Sequence, residues 1–212
     1  MWPFGVDTVT KLQNTTARLA KGSTIKSTLD FLAREAAPET VEVILSRLTW
    51  EERRLVESAT PTVEMPYELS LSLWRAADHY LRDEDPGWVE RAAAWSISSI
   101  GVQLYGGIIK KATPEEFLAQ HVSLFQLYYQ PGNMEIVAQS PGYAVTRLIG
   151  FDPGDTLLCR RLTAGWITAL GLARGRDTSA RHVRCTLEGD HFCEWEVRWR
   201  PESARNARSA HR

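Results

Sequence analysis

Apolar residues recur every three or four positions through most of residues 23–130, which is the period of amphipathic helices. The first predicted helix begins at Ser23 or Thr24 and stops before Pro38, where the next one starts. Thr49 and Glu52 have the spacing of a capping box. With further apolar stripes over residues 67–83, 85–111 and 113–130, this pattern predicts four to five helices.

The period changes to strict alternation after Gly132, which is typical of strands. Residues 134–140 and 143–151 predict one hairpin, and residues 180–190 and 191–200 predict a second that turns at Gly189-Asp190. A helix is predicted between them, over residues 153–175. The expected fold class is α+β, with helices packed on a four-stranded antiparallel sheet.

The same pattern predicts the domain organisation. Residues 1–22 are expected to form an N-terminal arm, and residues 201–212 a disordered tail. Between them we expect one α+β domain, residues 23–200. Its helical part covers residues 23–130, and its hairpin-helix-hairpin part covers residues 131–200.

Composition excludes several partners. The net charge of −1 gives no global field for nucleic acid, and no run of about 18 apolar residues predicts a membrane span. The N-terminus lacks the pattern of a secretory signal, so we expect a cytoplasmic protein whose three cysteines stay reduced.

The last predicted hairpin brings two of these cysteines together. Cys193 and the alternate residues that follow share one face of the final strand. With a loop over residues 188–190, Cys185 lies directly opposite Cys193, at a Cβ separation of roughly 4.5–5.5 Å. Cys159, on the preceding helix, can point at the same place.

His182 completes a candidate metal set with these cysteines, because zinc accepts three thiolates and one imidazole. In a regular strand His182 and Cys185 face opposite ways, so the set requires a bulge or a strand that begins at Val183. His191 and Glu194 are the alternatives to His182. Plain burial of the cysteines and a cross-strand redox pair are the other interpretations.

The segment "CTLEGDHFCEWEVRW" resembles the C-terminal signature of the 4-vinyl reductase domain family. The segments "KGSTIKSTLDFL", "AADHYL", "YQPGNMEIV" and "CRRLTAGWITALGLARGRD" are similar to a set of bacterial paralogues from myxobacteria with the same ending. The resemblance implies a TRAPP-like fold, a homodimer, and kinship with the sensor domains of aromatic-responsive transcription activators.

In those sensors the hairpin binds zinc, so the resemblance implies a structural zinc here. Cys159, Cys185 and Cys193 match the family's cysteine ligands, and His182 takes the position of its carboxylate ligand.

The sensors also bind small aromatic molecules beneath the sheet, which implies a small hydrophobic or aromatic ligand. The candidate ligand-binding residues are aromatic side chains and two histidines: Trp74, His79, Trp95, Tyr105, His121, Phe125, Tyr128 and Trp166. Packing of the same aromatic residues in the core is the alternative interpretation.

Catalytic motifs are absent from the sequence, which contains no G-x-S-x-G, no phosphate-binding glycine loop and no H-E-x-x-H. The leading hypothesis is a non-catalytic regulatory or sensor module that signals through a protein partner. A dimeric protein-interaction module is the second hypothesis, suggested by aromatic residues expected to be exposed: Trp2, Phe4, Trp50 and Trp88. The third is an enzyme of reductase type, although nothing in the sequence indicates a nicotinamide or flavin site.

Overall fold

A computed structural model describes residues 17–111 and 113–200. The described part contains eight α-helices: α1 (Ser23–Glu35), α2 (Pro38–Leu45), α3 (Trp50–Glu57), α4 (Tyr67–Leu81), α5 (Trp88–Ser96), α6 (Val102–Ile109), α7 (Pro114–Tyr128) and α8 (Thr156–Leu172). The seven strands are β1 (Leu19–Lys21), β2 (Glu64–Pro66), β3 (Tyr129–Gln130), β4 (Asn133–Ser140), β5 (Tyr143–Ile149), β6 (Arg176–Arg184) and β7 (Cys193–Arg200).

Helix starts follow the capping signals in the sequence. At α3 the Glu52 amide donates to the Thr49 hydroxyl at 3.2 Å, and the Thr49 amide donates to the Glu52 carboxylate at 2.9 Å. This reciprocal pair is the predicted capping box, and it satisfies two amides that the helix leaves without partners. Thr113 caps α7 in a similar way, with Pro114 at the first helical position.

The predicted long helix over residues 85–111 is interrupted. A π-helical turn, Ile97–Gly101, separates α5 from α6, and Tyr105 inside α6 has non-helical angles (φ −129°, ψ 24°). The hydroxyls of Ser98 and Ser99 donate to the carbonyls of Ala94 and Trp95, at 2.8 and 2.5 Å. Such back-bonding competes with the regular ladder and favours a local change of pitch.

Trp88–Ile109 is also the described helical run that is long and apolar enough, by length and composition alone, to cross a membrane. The sequence expectation concerned an uninterrupted stretch of about 18 apolar residues, and this run contains Glu90 and Arg91. The first half of the run packs against α1 and α8, and Trp88, Val89 and Ala92 are fully buried. A core helix passes the same test of length and composition, so the run is weak evidence for a membrane span.

The larger sheet has the strand order β4-β5-β7-β6, and all its neighbours are antiparallel. The predicted four-stranded antiparallel sheet is therefore confirmed. Helix α8 connects the two hairpins and packs against β6 and β7. Trp195 is fully buried in this layer, and its indole Nε1 donates to the Thr163 hydroxyl at 2.9 Å.

A second, three-stranded sheet was not predicted. Its central strand, β1, consists of the last residues before α1 and pairs with β2 and β3. The end of the expected N-terminal arm is thus part of the fold, whereas residues 1–16 and 201–212 lie outside the described residues. Strands of two or three residues are too short to show a period, so the sequence pattern does not reveal them.

Two tryptophans expected at the surface have opposite environments. Trp50 is 73% exposed, as predicted. Trp88 is fully buried and donates from its indole to the Asp78 carboxylate at 2.9 Å, so its expected exposure is wrong. An indole that finds a polar partner can be buried at little cost, which sequence alone does not show. Trp2 and Phe4 lie outside the described residues.

The capping box gives a first prediction. Replacing Thr49 with Ala removes the side-chain acceptor of the Glu52 amide and should lower the free energy of unfolding by about 1 kcal/mol. Urea denaturation followed by circular dichroism measures the change. Thr62→Ala is the control, because Thr62 is exposed in a turn, and it should shift the midpoint much less. Equal effects of the two substitutions would contradict the capping role.

Candidate ligand cavity and cysteine cluster

A largely apolar cavity of about 80 Å³ lies among α5, the π-helical turn, α7 and α8. Its wall is built from aliphatic and aromatic side chains that include Ile97, Ile109, Leu124, Phe125, Leu162 and Trp166. The π-helical turn contributes to this wall, and such turns are frequent at functional sites. Gly165 also lines the cavity, and a Cβ added there would meet no atom within 4 Å.

One charged side chain, Arg161, enters this apolar wall from α8. Arg161 is only 6% exposed, and its guanidinium carbon lies 4.5 Å from the centre of the Trp74 ring. The Trp74 indole is held in turn by a 3.1 Å hydrogen bond to the Thr28 hydroxyl. Nη1 of Arg161 is buried and has no hydrogen-bond partner among the described residues.

Tyr128 supplies a second unpaired polar atom to the same cavity. Its hydroxyl is buried without a hydrogen-bond partner in the described part of the chain. A Cβ at Gly101 would lie 3.4 Å from this oxygen, an ordinary contact, and 3.0 Å from the Ser96 carbonyl oxygen, a tight contact within the Trp88–Ile109 run. The Tyr105 ring packs against the Tyr128 ring, at a centroid distance of 5.2 Å.

Burial determines the ionisation of these groups. It raises the pKa of Tyr128 well above the usual range, so its hydroxyl is protonated and able to donate. It raises the pKa of Tyr129 to about 12, against the opposing charge of Arg161. Burial lowers the pKa of Arg161, yet a guanidinium does not lose its proton in proteins. Among the described residues the cavity lining therefore combines one cation, Arg161, with the protonated tyrosines Tyr128 and Tyr129 and a mostly apolar wall.

The predicted ligand-binding residues fall into two groups. Three of them, Phe125, Tyr128 and Trp166, line the cavity. The Trp74 ring packs against the Arg161 guanidinium, and the Tyr105 ring packs against the Tyr128 ring.

The other predicted residues lie elsewhere. Trp95 is half-buried beneath Arg34 at another surface, and His79 lines a polar surface cleft with Arg75 and Asp155. The side chain of His121, on α7, lies outside the described part of the chain.

Arg161 was missed by sequence reasoning, although its spacing carried a signal. It lies three residues after Leu158 and five before Trp166, close to the stripe of α8 that was predicted to be buried. A charged residue at such a position is either paired or functional. The adjacent Arg160 is the contrasting case, because it forms an ion pair with Glu90 at 2.7 Å.

A separate cluster contains all three cysteines. One ligand atom from each of Cys159, His182, Cys185 and Cys193 lies within 4.8 Å of the others. The register of β6 against β7 shifts between His182 and Arg184, which is the bulge that the set required. The His182 ring stacks on Trp195 at 4.6 Å. The structure thus brings the four predicted residues together, and their assignment as metal ligands stays a prediction.

Hydrogen bonds in the cluster converge on Cys193. Its sulfur accepts from the Thr186 amide at 3.5 Å and lies 3.4 Å from the Thr186 hydroxyl. The Cys159 thiol, followed by the neighbouring His182, lowers the pKa of Cys193 to about 4 despite its burial. The pKa of Cys159 is raised, first by its interaction with Cys193 and then by burial, and its sulfur also lies 4.0 Å from the Cys185 sulfur. The cluster therefore favours one thiolate, at Cys193.

Comparison with known proteins shows the fold. No family model and no curated protein matches the chain. Among solved structures, an unliganded Fe(II) H-NOX protein from K. algicida is 13% identical, with a TM-score of 0.63 over 86% of this chain and 98% of that one. An H-NOX protein from S. oneidensis in the Fe(II)NO ligation state is 12% identical, with a TM-score of 0.63 over 85% of this chain and 99% of that one. The chain thus has an H-NOX-like fold.

The comparison corrects two expectations. The resemblance to the 4-vinyl reductase domain family, and with it the TRAPP-like fold, is wrong, because the similar solved structures are H-NOX proteins. The expected structural zinc is wrong as well: these structures are described with Fe(II), and another of this fold was solved in work on heme redox potential and porphyrin distortion. The hairpin signature is short and local, and different folds can contain a hairpin with two buried cysteines.

The cluster gives a second prediction. Native protein at neutral pH should show one thiolate by ultraviolet absorbance, because hydrogen bonds from Cys159 and Thr186 hold Cys193 ionised. Cys193→Ser should remove the signal, and Cys159→Ser should raise the pKa of the thiolate. Cys185→Ser is the control and should retain the thiolate absorbance.

The lowered pKa of Cys193 also predicts a pH dependence of the free energy of unfolding. An unfolded thiol has a pKa of about 8.5, so Cys193 binds more protons in the unfolded state than in the folded one. Its contribution is complete above that value and is lost as the pH falls through about 4. A native protein with no thiolate at neutral pH would contradict this assignment.

Proposed function

We propose that this chain is a non-catalytic small-molecule-binding module of regulatory or sensor type, with its ligand in the cavity among α5, α7 and α8. The observation that carries the proposal is the composition of that cavity. An apolar wall surrounds a few fixed polar groups, which is the usual character of small-molecule sites. In the described residues the cavity contains no arrangement of nucleophile and base, so binding is the role that it supports.

The fold supports the same proposal. The H-NOX protein from S. oneidensis was solved in an Fe(II)NO ligation state, so a domain with this fold holds a small ligand. In the present chain the cavity adjoins the π-helical turn and the Tyr105 kink of α6. A ligand that changes the pitch of this turn would move α6, which is the kind of displacement a protein partner could detect.

Heme does not fit the cavity as the structure describes it. The volume of about 80 Å³ is far below the roughly 300–1,000 Å³ of pockets for drug-sized ligands. None of the described lining side chains is His, Cys or Met, and the tyrosines that could replace them are held protonated by burial. We therefore propose a ligand smaller than a porphyrin.

The third prediction tests the cavity itself. Gly165→Leu should extend a side chain into the open space and abolish ligand binding, because no atom lies within 4 Å of the added Cβ. Gly171→Leu is the matched control, since Gly171 is also on α8, has equally open surroundings and does not line the cavity. A thermal-shift screen of small aromatic and aliphatic compounds provides the measurement.

Stabilisation of the wild type and Gly171→Leu, but not of Gly165→Leu, is the expected result. A ligand that stabilises all three proteins equally binds elsewhere and would contradict the proposed site. The absence of any stabilising compound would contradict the proposed function.

A second candidate function is protein interaction, which one surface favours. Trp50 is 73% exposed on α3, and Val43 and Leu55 are exposed hydrophobic residues on α2 and α3. Exposed apolar side chains are a feature of interaction sites when they form a common surface. A homodimer or a signalling protein is the partner that we propose for this surface.

The fourth prediction concerns this surface. If it forms a homodimer, Trp50→Ser should shift the mass measured by light scattering from dimer to monomer, because an exposed aromatic anchor contributes strongly to an interface. Tyr80→Ser is the control, since Tyr80 is exposed on α4. A wild type that is monomeric at all concentrations would contradict self-association.

A further inference from the structure

We infer that the ligand of the cavity carries a carboxylate, which Arg161 and the Tyr128 hydroxyl bind while its small apolar body fills the remaining space. The inference rests on the proposed function, because it names the chemical class of ligand for the same site. Its basis is that two residues lining one largely apolar cavity, Arg161 and Tyr128, each have a buried donor without a partner in the described part of the chain.

A buried arginine without an acidic partner is costly. Moving an ionised group out of water costs several kcal/mol unless it is paired and hydrogen-bonded. The Trp74 ring meets only one face of the Arg161 guanidinium, so the hydrogen-bonding edge is left unsatisfied at Nη1. Within the described residues no Asp or Glu forms an ion pair with Arg161. An anion supplied by a ligand would satisfy this edge.

The geometry favours a carboxylate among small anions. A guanidinium presents paired N–H groups that match the two oxygens of a carboxylate, and a protonated tyrosine adds a further donor. Because most of the remaining wall is apolar, a monoanion with an apolar body is desolvated at lower cost than a phosphate or sulfate dianion. The cavity of about 80 Å³ limits that body to a single ring or a short chain.

Removal of the charge separates a binding role from a structural one. If Arg161 held the fold together, Arg161→Met would destabilise the free protein. If Arg161 instead serves a ligand, an apolar side chain of similar length should raise the melting temperature of the free protein, because an unpaired buried charge is replaced by packing. The same substitution should abolish the preference for acids.

The fifth prediction is tested by calorimetry with two matched pairs of probes: benzoate against benzamide, and hexanoate against hexanol. Wild-type protein should bind each acid at least tenfold more tightly than its neutral counterpart. Arg161→Met should lose this preference and still bind the neutral compounds, and Tyr128→Phe should weaken acid binding to a smaller extent. Arg161→Lys, which keeps the charge but not the paired geometry, should retain part of the preference. Arg47→Met is the control, because Arg47 is exposed, and it should bind as the wild type does.

The outcomes are distinguishable. Equal binding of acids and neutral compounds would overturn the carboxylate assignment and leave the proposed binding function standing. If no probe binds, and if the thermal-shift screen finds no compound that distinguishes Gly165→Leu from the wild type, both the carboxylate assignment and the proposed binding function are overturned. Arg161-dependent binding of hemin, with no binding of the small acids, would assign the carboxylate to a porphyrin and overturn the small ligand.

Discussion

Helix α8 must bury two faces at once, and the rest of the structure is arranged around that requirement. One face packs against β6 and β7, where Thr163 accepts the hydrogen bond of the buried Trp195. The opposite face packs against α5 and closes the cavity with Leu162 and Trp166. The exposed stripe of α8 contains Thr156, Ile167 and Gly171, whereas Cys159 and Arg161 lie on its buried faces.

These two polar groups are treated differently by their surroundings. Cys159 belongs to a cluster in which the Cys193 sulfur accepts from the Thr186 amide and the Cys159 and Cys185 sulfurs lie 4.0 Å apart, although His182 Nε2 is buried without a partner among the described residues. Arg161 has an aromatic ring on one face and an unpaired edge in a cavity. An unsatisfied buried charge carries a desolvation cost that a bound anion would offset. The proposed ligand site is therefore the cavity, whereas the cysteine cluster joins α8 to the segment between β6 and β7.

The break in the Trp88–Ile109 run connects the cavity to a part of the fold that can respond. A continuous α-helix would keep its hydrogen-bond ladder and resist local change. The π-helical turn and the Tyr105 kink interrupt that ladder next to Tyr128. In this H-NOX-like fold, part of the cavity wall has an irregular backbone. The polar residues that line the cavity are not of the types that bind a heme iron.

The sequence by itself determined the elements whose information is local. Periodicity and caps located the helices around Thr49 and Thr113, both hairpins and the four-stranded sheet. Strand parity predicted that Cys185 and Cys193 lie close together, and their sulfurs do so although β6 ends at Arg184. Tertiary structure alone decided the features that depend on distant residues. The three-stranded sheet joins Leu19–Lys21 to strands far along the chain, and Trp88 is buried because Asp78 accepts from its indole. The cavity site also depends on distant residues. The sequence shows where Arg161 lies on α8, but it does not show that Arg161 lacks a partner. A missing partner is a property of everything packed around a side chain, which no local pattern of residues can encode.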